Sequence, residues 1–154
     1  MEFRILNKKE SDKILEKIKE QFDIKEIKLD CFMLQNKDGK IFLITRYIDK
    51  INLKKLRINE LGLYIGKHDK ELRLTIEGSQ IFGKYAKKNV HEINEGELNL
   101  WMSGEDISCE KTYNGFVIIK YNDNFLGTGK YKDDKIINYV PKERWIKQPS
   151  KISG

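Results

Sequence analysis

The stretch of sequence that decides the fold is residues 115–140, GFVIIKYNDNFLGTGKYKDDKIINYV. Its first run is continuously apolar and rich in β-branched residues, which is typical of a buried strand. The turn-forming triplets at 122–124 and 132–134 then predict strands over 115–121, 125–131 and 135–140. Gly127 and Gly129 lie within a predicted strand, where glycine indicates tight packing or a bulge. Neither belongs to a phosphate-binding loop motif.

The residues upstream extend this pattern. We predict a strand over 71–76, a short helix over 77–86, a strand over 89–93, and a helix that Asn94 caps and Gly104 ends. Many short strands with tight turns and two small helices predict a small mixed β barrel.

The first part of the chain has its own elements. Asn7 and Glu10 have capping-box spacing, and the apolar residues that follow recur at helical intervals, so a helix is predicted over 8–22. Asp38-Gly39 predicts a hairpin turn between strands at 27–35 and 40–45. A short helix within 47–56 and a strand over 59–67 follow.

Together these elements predict an α+β protein with two domains. The first, residues 1–70, is an α/β domain with an antiparallel sheet, and the second, residues 71–154, is the mixed barrel. No Pro-rich or Ser-rich linker marks the border, so the grouping of elements sets it near residue 70, and the two parts are expected to pack closely.

The charge distribution favours an anionic partner. The 154 residues carry a formal net charge of +6 and a pI near 9.1. Residues 71–110 hold four Lys or Arg against eight acids, net −4, whereas residues 111–154 hold nine against four, net +5. A modest positive excess favours contact with a polyanion but also occurs in lysine-rich proteins from warm or AT-rich organisms. The polar N-terminus and the lack of a long apolar run predict a soluble, cytoplasmic protein.

A chain of landmarks carries a family resemblance. They are Leu61-Gly62, Gly66-Lys67, Arg73-Leu74, Lys84-Tyr85-Ala86-Lys87, Gly104 and Leu126-Gly127-Thr128-Gly129. Their order and spacing resemble most closely the pre-PUA plus PUA proteins that assist large-subunit assembly and pre-rRNA processing. The chain is also similar to the PUA-like region appended to nucleolar Sun-family RNA cytosine methyltransferases. The resemblance implies an RNA-binding barrel behind a pre-PUA domain, and the richness in lysine, isoleucine and asparagine is compatible with an archaeal source.

Basic residues in two groups are the candidate RNA-binding site. The resemblance implies a groove with Lys84, Lys87 and Lys88 on its helix side and Lys130 and Lys132 on its strand side. With the cations expected beside them, the full set is Arg73, Lys84, Lys87, Lys88, Lys130, Lys132, Lys135, Lys142 and Arg144. Alternatives stay open, because such lysines also solubilise an edge strand or complement a helix dipole, and Arg73 could pair with Glu71 or Glu77.

The aromatic residues divide into two classes. Apolar neighbours indicate a core position for Phe82, Tyr85, Trp101, Phe116 and Phe125. Polar turns and lysines surround Tyr121, Tyr131, Tyr139 and Trp145, and aromatic rings beside lysines can stack on unpaired bases. Trp145 is the strongest stacking candidate, although such a residue more often packs the chain end onto a barrel.

No arrangement of residues indicates catalysis, a cofactor or a metal. Cys31 and Cys109 do not form a CxxC pair, and His68 and His91 lack partners at metal-ligand spacing. We therefore expect a non-enzymatic protein without a cofactor, whose cysteines are buried free thiols.

Three hypotheses follow. The protein is an RNA-binding assembly factor that acts in rRNA processing with a ribosome-assembly partner. Alternatively, it presents RNA to a separate RNA methyltransferase. In the third hypothesis, the protein is a protein-interaction module whose positive charge is incidental.

Overall fold

The computed structural model describes residues 3–45 and 62–146. The first half of this part contains β1 (Phe3–Ile5), α1 (Lys8–Phe22), β2 (Cys31–Asn36), β3 (Lys40–Thr45), β4 (Gly62–His68) and β5 (Leu72–Leu74). The second half contains α2 (Ile76–Phe82), a 3-10 turn (Gly83–Tyr85), β6 (Val90–Glu92), α3 (Glu95–Met102), β7 (Ile107–Ser108), β8 (Phe116–Tyr121), β9 (Asn124–Lys132), β10 (Lys135–Asn138) and a 3-10 turn (Lys142–Arg144). The short helix predicted within 47–56 lies outside the described residues.

The first sheet is antiparallel throughout and follows the order β1-β2-β3-β4-β5. Its β2–β3 hairpin turns where Asp38-Gly39 predicts. The Asn36 Oδ1 atom accepts hydrogen bonds from the backbone N–H groups of Asp38 and Lys40, at 3.0 and 2.9 Å. Gly39 adopts a φ of +87°, a backbone conformation that residues other than glycine rarely adopt. The predicted hairpin is confirmed, and its first strand is shorter than expected, Cys31–Asn36.

Helix α1 covers one face of this sheet. Asn7 and Glu10 form the predicted capping box, and Asp23 ends the helix in the left-handed conformation. Ile14, Ile18 and Phe22 are buried against the sheet, and burial of each such side chain contributes roughly 1.5–3 kcal/mol.

None of the described helices is long and apolar enough to span a bilayer.

The second sheet is the predicted mixed β barrel, and it is curled into a half-barrel of order β6-β8-β9-β10-β7. The pairing of β6 with β8 is parallel, and the remaining pairs are antiparallel. Its three central strands are those predicted from residues 115–140. Val117, Ile119 and Ile136 on one face form a core with Trp101 of α3. The α+β class with a PUA-type barrel is thus confirmed.

The two sheets share contacts that fix how they meet. Ile118 of β8 belongs to the same core as Ile18 of α1 and Phe82 of α2. The buried Thr128 hydroxyl donates a hydrogen bond to the Leu74 carbonyl at 2.8 Å, and the Gly127 N–H donates to the Ser79 hydroxyl at 2.9 Å. Strand β9 is therefore joined to both β5 and α2.

The boundaries on either side of α2 also differ from the prediction. The strand expected over 71–76 ends at Leu74 because Thr75 caps α2, accepting a hydrogen bond from the Gly78 N–H at 3.0 Å. The helix expected over 77–86 tightens into a 3-10 turn at Gly83, where the Phe125 ring lies 2.3 Å from the position a Cβ would occupy. The domain border near residue 70 stays a prediction; strand β5 pairs with β4 of the first sheet.

Candidate nucleic-acid interface

One face of the second sheet carries a row of lysines. Lys130 and Lys132 are two residues apart on β9, so both side chains leave the same face. Lys135 is the cross-strand partner of Lys132, and Phe116 is the partner of Lys130, so these two residues share that face. The structure therefore brings the two predicted strand-side lysines and Lys135 together beside an aromatic ring.

A cleft lies between this face and the turn that joins β4 to β5. Its volume is about 410 Å³. We call it the seam cleft, and its lining residues are Lys67, Asp69, Lys70, Glu71, Arg73, Phe116, Lys130 and Tyr139. Two of the predicted RNA-binding residues, Arg73 and Lys130, are among them.

Cations and aromatic rings alternate inside the seam cleft. The rings of Phe116 and Tyr139 pack edge to face, with centroids 5.0 Å apart and planes at 86°. The Arg73 guanidinium lies 5.5 Å from the Tyr139 ring centre, and the Lys130 Nζ lies 5.7 Å from that of Phe116. Such cation–π contacts hold the charged groups against the rings. The cleft therefore offers flat apolar surface and positive charge at the same place.

One acidic residue interrupts this positive charge. The Glu71 carboxylate accepts a hydrogen bond from the Lys130 Nζ at 2.7 Å, and this contact raises the pKa of Lys130. The Glu71 side chain is 50% exposed, so solvent weakens the pair and the carboxylate can leave it without entering an apolar environment.

A second cleft of about 330 Å³ adjoins the first, because Glu71 and Phe116 line both. Lys88 lines this second cleft, and so does Lys17 of α1. Gln21 of α1 connects the two sides of this cleft, because its side-chain amide donates hydrogen bonds to the backbone carbonyls of residues 114 and 116, at 2.7 and 2.8 Å. One predicted helix-side lysine thus lies next to the strand-side group.

Lys84 and Lys87, the other two helix-side lysines, are exposed but do not line either of these clefts. The Lys84 Nζ lies 5.2 Å from the Tyr85 ring centre. The backbone N–H of Lys87 donates to the Phe22 carbonyl at 2.8 Å, which joins this loop to the end of α1.

The two cations near the C-terminal end lie in a 3-10 turn that packs on α2. Arg144 makes a bidentate pair with Glu77, with N–O distances of 2.9 and 2.7 Å, and the pair lowers the pKa of Glu77. Lys142 is exposed in the same turn. Glu77 therefore pairs with Arg144 and Glu71 with Lys130, whereas Arg73 lies over Tyr139.

The strongest stacking candidate from the sequence packs against the protein. The Trp145 ring covers Gly104, and its Nε1 donates to the Val140 carbonyl at 2.8 Å. The structure thus packs the chain end onto the barrel, the alternative given for Trp145, while leaving this residue 39% exposed. Tyr85, expected in the core, is instead 40% exposed.

Sequence reasoning missed several residues that line the seam cleft. Lys67 ends the strand predicted over 59–67 and Lys70 follows it, and the available signal was their density of positive charge beside Arg73. Phe116 is buried as expected, with 6% exposure, yet it lines the cleft. Tyr139 was named only as one of four aromatic residues near basic neighbours.

The second sheet also brings a cysteine and a histidine together. The Cys109 Sγ lies 3.9 Å from the His91 Nδ1, which is 3.0 Å from the Tyr113 hydroxyl. Burial raises the pKa of Cys109 and lowers that of His91, so a neutral thiol faces a neutral imidazole. Cys109 is buried as expected, whereas Cys31 is half-buried. Within residues 3–45 and 62–146, no three His, Cys, Asp or Glu side chains converge as metal ligands would.

The curled mixed sheet, with small helices at its edge and a glycine-rich strand in its centre, defines a PUA-type domain behind an antiparallel sheet. Residues 88–146 match the family model described as "Methyltransferase RsmF PUA domain". The predicted similarity to the PUA-like region of Sun-family methyltransferases is thereby confirmed.

Comparison with curated proteins extends the similarity to most of the chain. It is 28% identical over 143 residues to "Ribosomal RNA small subunit methyltransferase F" of Aeromonas hydrophila, covering 92% of this chain and 29% of that protein. The protein of the same name from Vibrio vulnificus is 26% identical over 142 residues, with the same two coverages. The chain thus spans less than a third of the length of these relatives.

Proposed function

We propose that this protein binds RNA without catalysing a reaction, and that its ligand is ribosomal RNA in the cytoplasm. The observation that carries the proposal is the seam cleft, which places Arg73 and Lys130 beside two aromatic rings on a PUA-type barrel. The names of the relatives support ribosomal RNA as the class of ligand.

The electrostatics of the interface support RNA as the partner. The seam cleft holds four cationic side chains against two carboxylates, and the row formed by Lys130, Lys132 and Lys135 extends it along the sheet. Each phosphate that such a cation neutralises releases counterions, so binding weakens as salt rises. Lys88 adds a further cation from the adjoining cleft.

Between the two RNA-binding hypotheses, the comparisons favour presentation of RNA to a methyltransferase. The relatives are named as small-subunit methyltransferases, and the match covers 29% of their length. In this proposal the described residues hold the RNA, and a separate catalytic unit modifies it. Action as an assembly factor of the large subunit has no comparable support.

A salt series tests the proposal. Filter binding of the full chain to ribosomal RNA fragments is expected to show that the logarithm of the binding constant falls linearly with the logarithm of the salt concentration. Replacing Lys130, Lys132 and Lys135 together by glutamine is expected to lower the slope by about 2, at roughly 0.7 for each phosphate contact to a single strand. Affinity that does not respond to salt would point to a protein-interaction module instead.

Co-purification distinguishes presentation of RNA to a methyltransferase from action as a ribosome-assembly factor. Recovery of a methyltransferase with the tagged chain supports presentation of RNA. Recovery of precursor ribosomal particles without a methyltransferase supports the role in assembly.

A further inference from the structure

Resting on the proposed function, we infer that the seam cleft receives one unpaired nucleotide of the bound RNA. The base would lie against Arg73 and Tyr139, and its phosphate beside Lys67, Lys70 or Lys130. Nothing in the sequence alone places these five side chains together, because they come from β4, the β4–β5 turn, β5, β9 and the segment after β10.

The shape of the cleft favours a single nucleotide. Its volume of about 410 Å³ lies within the range of roughly 300–1,000 Å³ typical of sites for small ligands. A duplex presents paired bases inside its stack and is recognised across a broad surface, so it cannot insert a base into a narrow concave site. An unpaired nucleotide can do so.

The rings have the arrangement that stacking requires. Tyr139 is 36% exposed, whereas Phe116 is 6% exposed and packs edge-on against it. Phe116 therefore supports Tyr139, and Tyr139 presents free surface together with the planar guanidinium of Arg73. Aromatic rings and guanidinium planes are the two protein surfaces on which unpaired bases stack.

The charges leave room for a phosphate. Asp69 directs its carboxylate back into its own turn, where it accepts hydrogen bonds from the N–H groups of Lys70 and Glu71. Glu71 is the acid that faces a cation, and its exposed carboxylate can move into solvent when a phosphate approaches Lys130. Lys67, Lys70 and Arg73 then remain as the surrounding positive charge.

Another cation–ring pair in the protein provides a matched control. Lys84 lies over Tyr85 at 5.2 Å, and Tyr85 is 40% exposed, close to the value for Tyr139. This pair lies outside the seam cleft. Tyr85→Ala therefore removes a comparable ring without changing the proposed site.

The experiment compares fluorescence anisotropy of a short unstructured RNA and of the same RNA annealed to its complement. Tyr139→Ala is expected to weaken binding of the single strand by about tenfold or more, as loss of one stacked base does, and to change duplex binding far less. Tyr85→Ala is expected to leave both affinities unchanged. Tyr139→Phe, which keeps the ring, is expected to retain single-strand binding, and thermal melting checks that each variant is folded.

Three results would overturn the inference. In the first, Tyr139→Ala and Tyr85→Ala bind the single strand equally well. In the second, Tyr139→Ala weakens duplex binding as much as single-strand binding. In the third, Tyr139→Phe fails as Tyr139→Ala does. In each case salt-dependent RNA binding by the unaltered protein would leave the proposed function standing, whereas absence of that binding would remove both.

Discussion

Two regions of this molecule are rich in lysine, and they differ in shape and in aromatic content. The outer face of α1 carries Lys8, Lys9, Asp12, Lys13, Glu16, Lys17 and Glu20, four cations against three acids. The seam cleft carries four cations against two acids, a similar balance. The helix face is open and has no aromatic lining residue, whereas the cleft is concave and contains Phe116 and Tyr139. The two surfaces therefore share lysine density and differ in shape and aromatic content, and our proposal places the RNA on the one that sets lysines beside rings in a concavity.

The α1 face has the composition of a solvated helix surface. Its acids and lysines alternate at spacings of three and four residues, as in Lys13 with Glu16 and Lys8 with Asp12, so that they screen one another. In the seam cleft Arg73 and Lys130 also contact rings, in addition to the pair that Lys130 forms with Glu71. The comparison predicts that charge removal has unequal effects in the two regions.

The largest difference is expected when three lysines are removed from each region. Lys67→Gln, Lys70→Gln and Lys130→Gln together should weaken binding of single-stranded RNA by at least tenfold at low salt, because the phosphate of the inserted nucleotide and those beside it lose three cations, and should lower the salt slope by up to about 2. The matched variant Lys8→Gln, Lys9→Gln and Lys13→Gln has the same change in net charge. It should retain most of the affinity, as measured by filter binding. Equal losses in both variants would show that net charge, not the cleft, governs binding.

A smaller effect of opposite sign is expected from the acid in the cleft. Glu71→Gln removes the carboxylate that accepts a hydrogen bond from Lys130. Since the freed ammonium group no longer has a competitor for phosphate, RNA affinity should rise by about two- to fivefold, within the range expected for an exposed ion pair. Glu16→Gln on the α1 face is the control and should change affinity little. Weaker binding by Glu71→Gln would mean that the carboxylate itself contacts the RNA.

The local parts of this fold could be predicted from sequence because their signals are local. The Asn7–Glu10 capping box, the Asp38-Gly39 turn and the strands of residues 115–140 depend on neighbours a few residues away. The seam cleft depends on distant contacts, such as that between Glu71 and Lys130. Sequence reasoning placed Arg73 in the RNA groove and offered Glu71 or Glu77 as an alternative partner, whereas the folded chain pairs both acids with other cations. Partner choice among many charges is set by tertiary geometry.

Dependence on tertiary contacts also explains why the structure does not bring together all the lysines of the groove that the family resemblance implied. The family resemblance implied a helix side made of Lys84, Lys87 and Lys88, yet only Lys88 lines a cleft next to the strand-side lysines. The end of α1 lies against the loop that carries Lys87, through the hydrogen bond to Phe22. This contact between distant parts of the chain has no signature in the sequence.

The smallest expected effect concerns a contact between the α1 face and the end of β4. The Lys17 Nζ lies 3.1 Å from the His68 Nε2. Burial, assisted by the Lys17 charge, lowers the pKa of His68 in the folded state. In the unfolded chain that pKa is about 6.5, so the folded state binds fewer protons, and stability present above this pH is lost as pH falls through the lowered folded pKa. Thermal melting between about pH 7.5 and about pH 5.5 should show a falling melting temperature.

His68→Gln tests the origin of that slope. The variant should melt with a shallower pH dependence in this window, and the part that remains should come from His91, whose pKa burial also lowers. The double variant with His91→Gln should be flatter still. A slope that both replacements leave intact would assign the effect to other groups.

The central claim is that RNA enters the seam cleft and stacks there. Photo-crosslinking of a thiouridine-containing single-stranded RNA to the full chain, followed by mass spectrometry of the adducts, tests it most directly. We predict adducts at Tyr139 and at neighbouring residues of the seam cleft, which Tyr139→Ala abolishes. Adducts concentrated on the outer face of α1, or at Tyr85 and Trp145 with none in the cleft, would contradict the account.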